Sequence, residues 1–248
     1  MIPLQDVLPR RTVPLATWGI IVVNAVVFLL EVSLPPPTRE VLFHYLGLIP
    51  ARITHPGWAA AHGFPPGAYL TFLTHLFLHG GWVHFLGNMW TLWIFGDNVE
   101  DRLGHLRFLI FYLLCGVAAA LTHIFMHPDS TVPTIGASGA ISGVLGAYFV
   151  MFPLARVIVL VPIFFFPFFL EVPALLYLGY WYLLQVFSGT LSLALPGEIG
   201  GVAWWAHAGG FLTGVLTHRL FCRRPHGYFK DEEVPWGPVL SYLDRLNR

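Results

Sequence analysis

Thr131-Val132-Pro133-Thr134-Ile135-Gly136-Ala137-Ser138-Gly139-Ala140-Ile141-Ser142-Gly143 is the stretch on which the reading of this chain turns. It sets a serine between glycines at the start of an apolar segment that runs to Phe152. Two readings of Ser138 compete. Small residues let membrane helices approach closely, and Ser and Gly recur in such contacts. A serine placed beside a base is, alternatively, an activated nucleophile. The residues that separate these readings lie elsewhere in the chain.

The solvent of the fold comes first. The chain has 248 residues, 56% hydrophobic and 10% charged. A soluble domain carries about 25% charged residues, so an integral membrane protein is expected. A formal net charge of zero argues against nucleic acid as a partner. Cys115 sits in an apolar run and Cys222 beyond the last one, which indicates no disulfide framework. The length suits one compact helical bundle and leaves no room for a second large domain.

Working outward from Ser138, apolar runs able to cross a bilayer as helices fall at about 15–33, 82–99, 106–126, 138–152, 173–188 and 202–221. The expected fold is therefore all-α, a polytopic bundle of six transmembrane helices spanning 15–221. A short N-terminus, 1–14, precedes it and a polar tail, 222–248, follows, with Asp231-Glu232-Glu233 read as a solvated face. The first run lacks a small-residue cleavage site and ends in Glu31 and Pro35 to Pro37, so it reads as a retained span. The connection 34–82 is too apolar for a flexible linker. Its Pro, Gly and aromatic content suits pieces lying in the membrane interface, anchored by Trp58 and Tyr69. Segment 156–171 is apolar but interrupted by Pro162 and Pro167, and it is also assigned to the interface.

Six spans put both termini on one side. Arg10, Arg11, Arg102, Arg107, Arg156, Arg219, Arg223, Arg224 and Lys230 then fall on the terminal side, against Arg39 and Arg52 on the other. The positive-inside rule makes both termini cytoplasmic, as in a bacterial inner-membrane protein. No repeat of 20–50 residues is present, which removes support for solenoids and inverted-repeat transporters.

With this topology four polar groups reach a similar depth from the non-cytoplasmic face: Ser138, His207, His84 and Asn88. An ionisable side chain within a span is costly and marks a functional candidate, although His207 can equally be a structural histidine bonded to a neighbouring helix. The glycines bear on that choice. Ala206, Gly210 and Gly214 repeat every four residues, as do Gly139 and Gly143, and each set is a ridge for close backbone approach. Packing the two ridges together brings Ser138 beside His207, a nucleophile beside a general base. His84 and Asn88, spaced i, i+4, share one helix face. Both can donate hydrogen bonds to an oxyanion, or simply join two helices. Glu31, Glu100 and Glu171 sit near span ends, so no carboxylate completes a triad.

These residues carry a family resemblance. Gly136-Ala137-Ser138-Gly139, the Ala206-His207 pair with its following glycines, and His84-x-x-x-Asn88 preceded by His75 and His79 resemble the rhomboids. These are intramembrane serine proteases, and the resemblance is to their six-span, prokaryotic type. Gly96-x-x-x-Glu100-Asp101-Arg102-Leu103-Gly104 is similar as well. The resemblance implies Ser138 as nucleophile and His207 as base. It implies His84, Asn88 and the Ser138 backbone N–H as oxyanion donors, with Gly136, Gly139, Gly210, Gly214 and Glu100 in support. It also implies a partly membrane-embedded first loop and a substrate that is another protein's transmembrane helix, reached through lipid. No cofactor or metal is implied. Some relatives stack a tyrosine, four residues after the serine, on the histidine; Ser142 stands there. A Trp-Arg pair of some first loops is not matched around Leu70-Thr71.

Two rivals remain. His75, His79 and His84 form a cluster of common zinc ligands, but no His-Glu-x-x-His is present and no carboxylate or thiolate stands nearby. A non-catalytic relative that only binds membrane helices, like derlins and inactive rhomboids, usually lacks the serine or the histidine, and both are here.

Overall fold

The computed structural model describes residues 1–163, 166–194 and 202–222. The polar tail beyond Cys222, and the arginines and acidic run read there, lie outside the described residues. In chain order the elements are β1 (Ile2–Asp6), α1 (Leu15–Ser33), α2 (Pro36–Leu46), α3 (Pro50–Thr54), α4 (Pro56–Ala61), α5 (Thr71–Thr74), α6 (Trp82–Leu103), α7 (His105–Met126), α8 (Ser138–Met151), β2 (Arg156–Ile163), β3 (Phe166–Pro173), α9 (Ala174–Ala194) and α10 (Trp204–Phe221). Single 3-10 turns, Ala68–Leu70 and His75–Phe77, flank α5.

The long helices expose large apolar side chains that a water-soluble bundle would cover. On α1 the buried face is Thr17, Ile20, Asn24, Phe28 and Glu31, a run at helical spacing that includes three polar residues. Its opposite face exposes Val22, Val23, Val26, Leu29 and Leu30. Leaving a large aliphatic side chain in water forgoes about 1.5–3 kcal/mol, and hydrocarbon around the bundle removes that cost. Among the described residues, two helices are long and apolar enough to cross a membrane by length and composition, Leu15–Ser33 and His105–Met126. The other long helices miss that mark for identifiable reasons. α6 carries Asp97, Glu100, Asp101 and Arg102 in its last two turns, α8 has 14 residues, and Tyr, Trp, Gly and His dilute α9 and α10.

α8 is the axial helix of the bundle. All of Gly139 to Tyr148 is buried on it, and α10, α7 and α6 pack around it. The α8–α10 crossing depends on glycine. A Cβ on Gly210 would run into the Gly139 carbonyl, and one on Gly214 into the Gly143 carbonyl. The two small-residue ridges therefore touch backbone to backbone.

The chain departs from an all-helical fold at one end. Segment 156–171, assigned to the interface on its sequence, forms a hairpin of β2 and β3. β1 joins it to give an antiparallel sheet of order β1-β2-β3. Val157 and Val159 point into the core, and Pro162 and Pro167 face each other at the far end of the hairpin. The N-terminus is thereby part of the fold. Arg11 and Thr12 donate backbone N–H groups to Asp101, and the Glu100 carboxylate accepts from Ala16 N–H at 2.8 Å, from Thr17 N–H at 2.7 Å and from His105 Nδ1–H at 2.5 Å. The start of α1 is capped by a carboxylate from α6, as its positive dipole end favours.

Asp6, at the end of β1, accepts hydrogen bonds from Tyr148 Oη–H and Asn98 Nδ2–H, each 2.7 Å. Burial pushes its carboxyl from the ordinary 3.8 up to about 7, against the lowering effect of the Tyr148 bond. Between about pH 4 and about pH 7 the folded chain thus keeps a proton that the unfolded chain releases. Stability from this group is full below pH 4 and is lost as pH rises through about 7. Asp6→Asn is expected to flatten that part of the melting temperature–pH curve in detergent. Equal slopes for variant and wild type would contradict this.

Candidate active site

Ser138 is the first residue of α8, so its own N–H and those following it are among the orphan donors of a helix N-terminus. The turn before it is held from two sides. Gly136 N–H donates to the His75 carbonyl at 2.8 Å, and Leu48 and Thr134 exchange backbone bonds of 3.0 and 2.8 Å. The first loop is thus stitched to the segment that delivers the serine. Gly136 has φ +123°, a conformation L side chains rarely adopt, and a Cβ there would lie 2.6 Å from His84 Nε2. Only glycine lets His84 come this close to the turn before Ser138.

The glycine crossing of α8 and α10 sets Ser138 Oγ 2.8 Å from His207 Nε2. On the other side of the ring, His207 Nδ1 lies 2.9 Å from Gln185 Oε1 on α9. Trp181, one turn earlier on α9, lies beside the imidazole at 6.0 Å between ring centroids, tilted 32°. Ser142, in the position of the stacking tyrosine of some relatives, bonds back to the Ser138 carbonyl at 2.7 Å.

His84 and Asn88 come from one face of α6, as their spacing predicts, and meet Gly136 and Ser138 at one cavity. Gly80 N–H donates to His84 Nδ1 at a long 3.4 Å, which leaves the ring proton of the neutral form on Nε2, facing Gly136. Asn88 is 8% exposed, and its Nδ2 is a buried donor with no partner among the described residues. An unpaired buried donor costs about 1–3 kcal/mol, so a ligand oxygen at that place would relieve it.

The cavity has a volume of about 1310 Å³ and is lined by His84, Asn88, Gly136, Ser138, Trp181 and His207, with His75, His123 and His127 further round. Burial lowers the His75 imidazole to about 4, so it is neutral near pH 7. Among the described residues, no group of three or more His, Cys, Asp or Glu is arranged to hold a metal ion. Glu100 is not at the cavity. It lies sixteen residues beyond His84, about 24 Å along α6, where it caps α1.

Sequence reasoning missed Gln185 and Trp181. The available signal was a lone amide within an apolar span, which the rule for polar residues in membranes flags.

With fold and cavity described, the class follows. The chain belongs to the rhomboid family: residues 66–224 match the rhomboid domain. It is accordingly an integral membrane protein. It is 32% identical over 166 residues to RHOMBOID-like protein 4 of Arabidopsis thaliana, covering 64% of this chain and 36% of that one. It is 32% identical over 146 residues to Rhomboid protein 1, mitochondrial, of Saccharomyces cerevisiae, covering 56% and 38%. The Rhomboid protease GluP of Bacillus subtilis is 40% identical over 81 residues, covering 33% of this chain and 15% of that protein. This chain therefore spans less than two fifths of each of these relatives.

Proposed function

We propose that this chain is a serine endopeptidase that hydrolyses peptide bonds in or near the membrane spans of other proteins, using Ser138 and His207. The observation that carries the reading is the 2.8 Å contact of Ser138 Oγ with His207 Nε2, at a cavity that also holds an unpartnered Asn88 amide. In the reaction His207 Nε2 takes the serine proton as Oγ attacks the scissile carbonyl carbon. The carbonyl oxygen becomes an oxyanion, met by Asn88 Nδ2–H, His84 Nε2–H and the Ser138 backbone N–H. His207 then gives its proton to the departing amine, leaving an acyl-serine. Water entering the cavity, activated by the same imidazole, hydrolyses the ester and restores Ser138.

The architecture proposed with this activity is a six-span bundle, about 15–33, 82–99, 106–126, 138–152, 173–188 and 202–221, with both termini cytoplasmic. The structure offers one line of support. β1, the α6–α7 corner, the hairpin and the end of α10 gather at one end of the bundle, with Arg107 Nη1 bonded to the Cys222 carbonyl at 3.2 Å. The cavity is at the other end, which under this topology opens away from the cytoplasm. A substrate helix would reach it through lipid.

The test is reaction with a fluorophosphonate probe, followed by peptide mapping, alongside cleavage of a reporter transmembrane protein in liposomes. Labelling at Ser138, abolished by Ser138→Ala, is expected. A folded chain that binds the reporter helix but neither labels nor cleaves would be a non-catalytic family member. Within this reading, Asn88→Ala is expected to lower kcat with little change in KM. The loss should fall below the 2.7–4 kcal/mol or so seen for a single oxyanion donor in a soluble protease, because His84 and the backbone remain. Unchanged kcat in both Asn88→Ala and His84→Ala would make the pair structural.

A further inference from the structure

We propose that Gln185 is the positioning residue of the dyad, selecting the one imidazole tautomer in which His207 can accept the serine proton. The inference rests on the Ser138–His207 reading above and adds a third member to it. The argument follows hydrogen-bond polarity along a chain of three contacts. Gln185 Nε2 lies 3.1 Å from the Trp181 carbonyl, four residues back on α9. A carbonyl only accepts, so the atom facing it must be the amide NH2. The other amide atom, Oε1, then faces His207 Nδ1 at 2.9 Å and only accepts. The His207 proton must therefore sit on Nδ1, which leaves Nε2 with a free lone pair toward Ser138 Oγ at 2.8 Å.

Reversing the amide reverses every link. Oε1 would oppose the Trp181 carbonyl, acceptor against acceptor, and NH2 would donate to Nδ1. The ring proton would move to Nε2, and His207 would have no lone pair for the Ser138 hydroxyl. At 5% exposure, Gln185 is shielded from water that would otherwise satisfy either orientation. The place of Gln185 is that of the acid in a soluble triad, but an amide avoids the cost of an ionised group at this depth. Trp181 adds a side wall to the ring.

The experiment measures kcat, KM and the pH profile of reporter cleavage for wild type, Gln185→Met, Gln185→Glu and Ser138→Ala, each with a melting curve. Gln185→Met keeps the volume and removes the acceptor. It is expected to lower kcat about tenfold to hundredfold with KM unchanged, well short of the roughly 10⁴-fold loss when a wrong tautomer is imposed on a soluble triad. Gln185→Glu restores an acceptor for Nδ1–H and is expected to recover kcat on the plateau. Its carboxylate favours the imidazolium, so the acid limb of kcat/KM should move up by about one pH unit or more. A glutamine that merely packs would alter melting in both variants and leave kcat and the Nδ1–H tautomer of folded Gln185→Met as in wild type. Nitrogen NMR of histidine-labelled protein, assigned by difference against His207→Ala, should show Nδ1–H in wild type and a tautomer mixture in Gln185→Met. Wild-type kcat and tautomer in folded Gln185→Met, or an unmoved acid limb in Gln185→Glu, would overturn the role of Gln185 alone. Cleavage surviving in Ser138→Ala would overturn the dyad itself.

Discussion

Ser138→Ala and His207→Ala are each expected to abolish measurable cleavage, and the double variant to be no worse than either. The reason is the single hydrogen bond between them, 2.8 Å from Oγ to Nε2. Without the base the hydroxyl keeps its proton, and without the hydroxyl the base has nothing to activate. The two act as one unit, and such losses do not add. In a soluble serine protease, removing the serine or the histidine alone costs about as much as removing the whole triad, on the order of 10⁶ in kcat. Both variants should remain folded, since Ser138 and His207 are half-buried and line the cavity. Reporter cleavage and fluorophosphonate labelling, each beside a melting curve, provide the readout. Strong labelling of Ser138 in folded His207→Ala would show that His207 is not the activating base.

The second large effect is expected at a residue that touches no reacting atom. Gly210→Leu should abolish cleavage and labelling together while leaving every polar side chain of the site in place. A Cβ at Gly210 meets the Gly139 carbonyl, which is backbone and cannot rotate aside. The helices must separate, and Ser138, one residue before Gly139, moves away from His207. A hydrogen bond weakens steeply with misalignment, so a shift near 1 Å suffices to break the contact. Overpacking a core costs about 1–3 kcal/mol, and a fall in melting temperature should accompany the lost activity. Leu216→Ala, on the exposed face of the same helix, is the control and should change neither. Full activity in Gly210→Leu would mean that the α8–α10 approach does not hold the dyad together.

Much of the candidate site's geometry was legible in the chain because its signals are local. Four-residue spacing puts Ala206, Gly210 and Gly214 in one ridge and Gly139 and Gly143 in another, whatever surrounds them. Once those two ridges pack together, Ser138 comes beside His207. The i, i+4 spacing of His84 and Asn88 is local in the same sense. The outward apolar faces of α1 and α9 follow from composition, since nothing but hydrocarbon suits so many aliphatic side chains.

What only the tertiary structure decided involves partners distant in sequence. The run Val157-Ile158-Val159-Leu160-Val161 has β-branched character, but the sheet needs β1, some 150 residues earlier, to pair with it. Strand pairing is a long-range choice that periodicity in one segment does not reveal. Glu100 was legible as part of a motif, yet its work of capping α1 needs α1 and α6 side by side. The same holds for Gly136, whose N–H is held by the His75 carbonyl sixty residues back. Gln185 is the sharpest case. In the sequence it is one amide in an apolar run, and its spacing to His207 says nothing. Its meaning depends on which amide atom faces Trp181 and which faces His207. Sequence places a residue on a helix face, but hydrogen-bond polarity across two helices exists only once they are packed.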